Sequence, residues 1–293
     1  MIVIVNTLVS SGRLAMNKTF LFAATMAGAL GVAASAAAQP KLVKKWESDA
    51  SFKVPESVYF DKAGKVLYVS NIDGEPWGKD GNGSIGKLGL DGKIIAAEWV
   101  KGLQAPKGMA LWKGTLWVAD LSDVVGIDVA KGTIATRIPI EGAAKLNDLT
   151  VDVKGVLYVS DSETKKVHKV DGKTVSTLLE GLKGPNGLLA HNGQLYVLDN
   201  GGLYQVQADK TLKLVADGME GGTDGVEPIK GGGYLVSTWG GVIYHVGADG
   251  SKHMLIDTRP AKQNSADIGF DPETATVYVP TFFKNTVIAY GLQ

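Results

Sequence analysis

The feature that most constrains this chain is a unit that recurs six times. Each copy opens on a short tip, runs into an apolar stretch, turns, and runs through a second apolar stretch. The fourth copy shows the plan: Gly184-Pro185-Asn186-Gly187, then Leu188-Leu189-Ala190, a turn at Asn192-Gly193, and Leu195-Tyr196-Val197-Leu198-Asp199. The equivalent tip positions are Glu56, Lys107, Asn147, Asn186, Asp224 and Ala266, spaced by 51, 40, 39, 38 and 42 residues. A period of about 42 with strand-like runs is the mark of propeller blades. Later in each unit, runs such as Lys166–Val170 and Thr174–Leu179 flank Asp171-Gly172, and Asp91-Gly92 and Asp249-Gly250 recur at the same place. Asp-Gly between two strand-like runs is a hairpin signal.

These patterns predict an all-β fold, a six-bladed β-propeller with four strands per blade. The last unit stops after Asn285–Tyr290 and lacks a fourth strand, while Lys41–Glu47 is a strand without a blade. Pairing the two closes the ring, so the N-terminal strand is expected to complete the last blade and remove an open edge. The second strand of each unit is apolar at nearly every position, as a strand buried on both faces should be. Tyr68, Trp117, Tyr158 and Tyr196 recur there and are assigned to packing between blades. A β-sandwich would not explain six similar tips at one period.

Residues 1–38 contain no Asp or Glu. Met16-Asn17-Lys18 leads into an apolar run, Phe20–Val32, and then into Ala33-Ala34-Ser35-Ala36-Ala37-Ala38. This reads as a secretory signal peptide, with Met16 as an alternative start, followed by a propeller domain over 39–293; the other reading, a membrane anchor, fits less well because the apolar run is short for a span and ends in small residues. The expected location is secreted or periplasmic, with no membrane association once the signal is cleaved. The absence of cysteine leaves the fold without disulfides, which about 255 residues do not require. Net charge is zero with 30 basic and 30 acidic residues, so nucleic acid is not an expected partner. A monomer acting on a small molecule is expected.

In a propeller the loops entering the innermost strands open on one face, so the tips converge on an axial mouth. Glu56 and Asp224 would bring two carboxylates there, and Asn147 and Asn186 two amide oxygens. Such groups, enclosed and unpaired, cost several kcal/mol in order of magnitude. A hard cation resolves this, and Ca²⁺ takes roughly 6–8 oxygen ligands. The expected cofactor is therefore a divalent metal ion, calcium first, with Zn²⁺, Mg²⁺ or Mn²⁺ as alternatives. The other reading of these residues is that Asn-Gly, Asp-Gly and Asn-Asp merely form turns. Lys107 could neutralise an axial carboxylate or bind an anionic or carbonyl group. Lys145, Asn147, Asp148, Asp267 and Trp239 are further candidates for substrate contact, although Asp148 and Asp267 sit one residue past the tips and could be turn formers. A second ring of Asn71, Asp120, Asp161, Asp199, Thr238 and Thr281 ends the second strands. The loop Ile72–Gly83 should overhang the mouth as a lid, with Trp77, Trp239 and Phe282 as an apolar wall.

The tips also resemble the SMP-30/gluconolactonase/regucalcin-like (LRE-like) family over about residues 50–290. Pro55-Glu56-Ser57-Val58 resembles the family's first-blade Glu element, and Lys145-Leu146-Asn147-Asp148 its Arg-x-Asn-Asp element. Pro185-Asn186-Gly187 and Thr223-Asp224-Gly225-Val226 are similar to its Pro-Asn-Gly and Asp-Gly elements. The resemblance implies that Glu56, Asn186 and Asp224 bind a divalent metal, that Asn147 assists metal or substrate, and that Asp224 is the catalytic base. It departs from the family at Ser57-Val58-Tyr59, at Lys145 in place of arginine, and at Lys107.

None of the four histidines, His168, His191, His245 and His253, lies at a tip, and no Gly-x-Ser-x-Gly elbow occurs. The expected function is a secreted metal-dependent hydrolase acting on a lactone or ester through a metal-activated water. The alternative is a non-catalytic β-propeller that binds a small ligand or a protein. That alternative predicts an axial site that holds no metal and a Lys107 within salt-bridge reach of Glu56 or Asp224.

Overall fold

A computed structural model describes residues 40–293; the expected signal peptide, 1–38, lies outside the described residues. The chain forms six sheets of four strands, each sheet following the chain order from inside to outside except the last. The innermost strands are Pro55–Asp61, Pro106–Trp112, Leu146–Val151, Pro185–His191, Thr223–Pro228 and Gly269–Asp271. In the sixth blade Gly269–Asp271 is followed outward by Thr276–Pro280, Val287–Leu292 and then the N-terminal strand Leu42–Glu47. Lys41 and Gln293 exchange both backbone hydrogen bonds, at 2.9 and 3.0 Å, which ties the ends of the domain together. The fold is thus the six-bladed, four-stranded, N-terminally closed propeller that the repeats predict.

The core lies between blades. The second strands Val66–Asn71 and Thr276–Pro280 are buried along their whole length because each is covered by a blade on either side. Tyr68 stacks at 5.4 Å on Trp99 within the layer between blades one and two. Tyr196 meets Tyr234 of the next blade at 5.0 Å. Trp117 and Tyr158 pack, partly buried, against similar layers. A fully buried side chain such as Tyr68 contributes about 1.5–3 kcal/mol of apolar burial, and the partly buried ones correspondingly less.

The tips are not ordinary strand positions. The pairing of first and second strands slips between Pro55 and Ser57, Pro106 and Met109, Leu146 and Leu149, Pro185 and Leu188, and Thr223 and Val226. Each slip is a β-bulge, which bends the strand and re-aims the side chain inside it. The first residue inside each slip is a predicted tip, Glu56, Lys107, Asn147, Asn186 or Asp224, and in all but the first blade one further residue follows it within the slip. A bulge also frees a backbone N–H, and here the second strand supplies the acceptor. Ser70, Ser160 and Ser237 take the N–H of Ser57, Asp148 and Gly225, each at 2.9 Å. The sixth unit differs. Its ladder starts only at Gly269, and Asp267 instead bridges in parallel to Ser57 of blade one. The Asp267 N–H donates to the Glu56 carbonyl at 2.9 Å, and the Val58 N–H donates to the Asp267 carbonyl at 3.2 Å. Here the ring closes through backbone at the mouth itself.

Candidate functional site at the axial mouth

The bulged tips meet in a cavity of about 530 Å³ lined by Glu56, Lys107, Asn147, Asn186 and Asp224, with Glu75, Pro76, Trp77, Gly78, Trp239 and Phe282 around it. Four consecutive lid residues, Glu75 to Gly78, therefore contribute, as the long first unit suggests. Glu56, Lys107 and Asp224 are 4%, 2% and 2% exposed, so the floor is largely withdrawn from water.

The Asn186 side-chain N–H donates to Asp224 Oδ1 at 2.9 Å, which turns the Asn186 carbonyl oxygen away from that bond. That oxygen is buried with no hydrogen-bond partner among the described residues, and so is Glu56 Oε2. Asn147 donates to Ser162 Oγ at 3.1 Å, and Ser162 donates to the Pro185 carbonyl at 2.8 Å, so neighbouring blades are linked under the mouth. Burial, set against the Lys107 charge, leaves the Glu56 carboxyl well above the usual carboxylate range, with Asp224 and Asp267 adding to the rise. Burial, then the nearby Asp267, pushes Asp224 up to about 8. Burial pulls Lys107 below the usual amine range against the pull of Glu56 and Asp224.

Lys107 makes no salt bridge and no side-chain hydrogen bond among the described residues. Its ammonium lies 4.2 Å from the centre of the Trp77 ring. A cation over an indole face is favourable, more so when water is excluded. Lys145 lies farther out, 5.8 Å from the same ring, and pairs with Glu163 at 2.7 Å.

Two buried oxygens without partners, beside a second carboxylate, suit a hard cation that prefers oxygen ligands. Among the described residues no three His, Cys, Asp or Glu side chains gather as ion ligands. The mouth offers two carboxylates and two amides instead. Glu56, Asn186 and Asp224 are the residues that could hold such an ion, with Asn147 beside them.

Asp148 and Asp267 do not line the mouth. They face the axial channel beneath it, a space of about 200 Å³ that Glu227 also lines. Asp148 Oδ2 accepts the Leu188 N–H of the next blade at 2.5 Å, and Asp267 Oδ2 accepts the Ser57 hydroxyl at 2.5 Å. Each carboxylate thus joins two blades. Gly108 and Gly225 make the room, since a β-carbon at either would collide with Asp148 or Asp267. The second ring is buried and clamps loops. Asp120 accepts the N–H groups of Gln104 and Ala105, at 2.8 and 2.9 Å. Asp161 accepts those of Ala144, Glu163 and Thr164, and Asp199 those of Lys183 and Gly184. Among the described residues, no histidine lines the mouth. A larger hollow of about 800 Å³ opens between blades four and five, lined by His191, Lys213, Gly231 to Gly233 and Asp249. These lie in or beside the turns at the opposite end of the strands, and among the described residues no set of buried polar tips converges there.

The buried acids give a pH signature. Asp267 is pushed up to about 7 by burial, against the Ser57 hydrogen bond, and Asp224 to about 8. A free carboxyl titrates near 3.9. Below that value both folded and unfolded chains hold the proton. As pH rises, the unfolded chain releases it first, so stability falls until the folded groups ionise. In chelator, the melting temperature is expected to drop from about pH 4 toward about pH 8, the range over which Asp267 and Asp224 are still protonated only in the folded chain. Exposed pairs such as Asp128 with Lys131 oppose this only weakly. Thermal melts across that range check it; a melting temperature that rises with pH contradicts the enclosure of these acids.

No family model matches the chain, and no curated protein does so. Solved structures do. A gluconolactonase from Xanthomonas campestris is 16% identical with a TM-score of 0.67, over 83% of this chain and 87% of its own. A streptogramin B lyase is 12% identical with a TM-score of 0.63, over 87% and 98%. A virginiamycin B lyase from Staphylococcus aureus is 13% identical with a TM-score of 0.61, over 87% and 100%. At these identities the likeness is one of fold.

Proposed function

We propose that this propeller is a secreted, divalent-cation-dependent hydrolase of lactones or esters. The observation that carries it is the pair of buried, partnerless oxygens, Glu56 Oε2 and Asn186 Oδ1, beside Asp224 at the floor of an open mouth. The gluconolactonase among its fold neighbours supports the same class of reaction. Secretion rests on the residue pattern of 1–38.

A divalent cation at this floor supplies Lewis acidity toward a carbonyl and lowers the pKa of water. The chain's own groups do the rest. Glu56, Asp224 and the Asn186 carbonyl would hold the ion. Asn186 also fixes one oxygen of Asp224, leaving the carboxylate oriented to accept a proton from water. Positive charge close by favours the ionised carboxylate, so Lys107 draws Asp224 back toward the range a base needs, and a bound cation would add to this. Trp77 and the wall restrict water to the floor. The non-catalytic reading is the weaker one, because Lys107 contacts Trp77 and makes no ion pair with Glu56 or Asp224.

The test is calorimetric titration of the chelator-treated protein with Ca²⁺, Mg²⁺, Mn²⁺ and Zn²⁺, followed by a hydrolysis assay on a panel of lactones and aryl esters. One ion per chain, weakened by Asn186→Ala, and ion-dependent turnover are expected. Absence of ion binding at the mouth rejects the proposal.

A further inference from the structure

Above the polar floor, the mouth is aromatic. Trp239 packs edge-on against Phe282 at 5.6 Å and Phe283 at 6.2 Å, and the two phenylalanines meet at 4.7 Å. Trp239 and Phe283 remain 43% and 60% exposed, although nothing in the core requires them at the surface. A contiguous exposed aromatic group usually marks a binding surface. Phe282 also holds a left-handed backbone, φ 53°. That is costly for a bulky residue and persists where the surroundings over-determine it, often at ligand sites. Trp77 belongs to the lid, and the Lys107 ammonium 4.2 Å from its ring helps fix the plane of the indole.

The polar groups of the cavity sit at the tips, apart from Glu75 on the exposed lid and the indole N–H groups of Trp77 and Trp239. A polyhydroxylated ring carries hydroxyls around its whole rim, and those turned away from the tips toward the aromatic wall would find few partners, which weakens binding. A flat apolar body loses nothing there and gains the stacking. A volume of about 530 Å³ is ample for a two-ring compound.

We infer that the mouth selects a flat aromatic or alkyl-bearing lactone or ester over a sugar lactone. Its apolar body lies between Trp77 and the Trp239–Phe282 wall, and its carbonyl is directed to the floor. This rests on the hydrolase reading for the reaction, but the recognition is measured without turnover.

The probes are a bicyclic aryl lactam, 3,4-dihydro-2-quinolinone, as a ligand that resists hydrolysis, and glucono-δ-lactone as the sugar comparator. Calorimetry on the unmodified, cation-loaded chain should show the lactam binding at least about tenfold more tightly. Trp77→Ala should weaken the lactam about tenfold, and Trp77→Phe should restore most of it. Trp77 lies on a lid outside the sheets, and the two-ligand comparison needs no variant. Equal or tighter binding of the sugar lactone, or unchanged lactam affinity in Trp77→Ala, overturns the inference. Lactam binding with no turnover of any lactone or ester removes the hydrolase reading and leaves this one standing. Sugar-lactone turnover without lactam binding does the reverse.

Discussion

Replacing Asp224 by alanine is expected to lower lactone or ester hydrolysis by about a thousandfold, since it removes both a proposed ion ligand and the proposed base. The same change is expected to leave the fold intact or to stabilise it. Asp224 is buried, burial pushes its carboxyl up to about 8, and its mapped partner is the Asn186 amide. At pH 8 in chelator the fold must hold this group half ionised without a cation, so its removal relieves a burden. Asp224→Asn separates the roles further, keeping shape and a polar contact to Asn186 while discarding the charge. Steady-state kinetics and thermal melts at pH 8 check both halves. Loss of activity with a higher or unchanged melting temperature is the expected pair. Activity within a few-fold of the parent would reject Asp224 as base and ligand. A large drop in stability would instead make it a structural residue.

The second large effect is at the closure. A chain beginning at Asp49 lacks Leu42–Glu47 and is expected to be insoluble or poorly folded. The outer edge of Val287–Leu292, buried in the closed ring, would then be exposed along nearly its whole length. An open, flat, apolar edge invites pairing with other chains. The strand also carries Trp46, which packs at 5.9 Å on Tyr278 and donates its indole N–H to the Leu90 carbonyl at 3.0 Å. Losing a fully buried tryptophan costs about 3–5 kcal/mol, and the half-buried Trp46 a good part of that. That is a large share of a total stability of about 5–15 kcal/mol. Trp46→Ala in the full chain isolates this part and should lower the melting temperature by about 10 °C. Gel filtration and circular dichroism of both forms decide it. A truncated chain that melts like the parent would show that the closing strand is dispensable.

Much of this was legible before any coordinates. The six tips, the wholly apolar second strands and the missing last strand sufficed for the propeller and its closure, because blade packing imposes its period on the residues. Five polar tips at one aligned position marked out the mouth, and the long first unit marked out a lid. The lines that stayed hidden are those set by distance in space. Asp148 and Asp267 look like tip neighbours along the chain, yet they face the channel, where glycines of adjacent blades admit them. The recurring Ser70, Ser160 and Ser237 were a visible signal of the bulges, since a serine in an otherwise apolar strand needs a polar partner. Asp120, Asp161 and Asp199 look like site residues until their loop N–H partners are seen.

By itself, then, the sequence determined the number of blades, their order and which residues head each one, because a repeated apolar period can be buried in few ways. Only the tertiary structure decided what those heads face. Whether Lys107 pairs with an acid or with an aromatic ring depends on where the lid of blade one comes to rest over a tip of blade two, a separation no local pattern encodes. It rests with Trp77 over the ammonium, and that leaves Glu56 and the Asn186 carbonyl without partners at the floor.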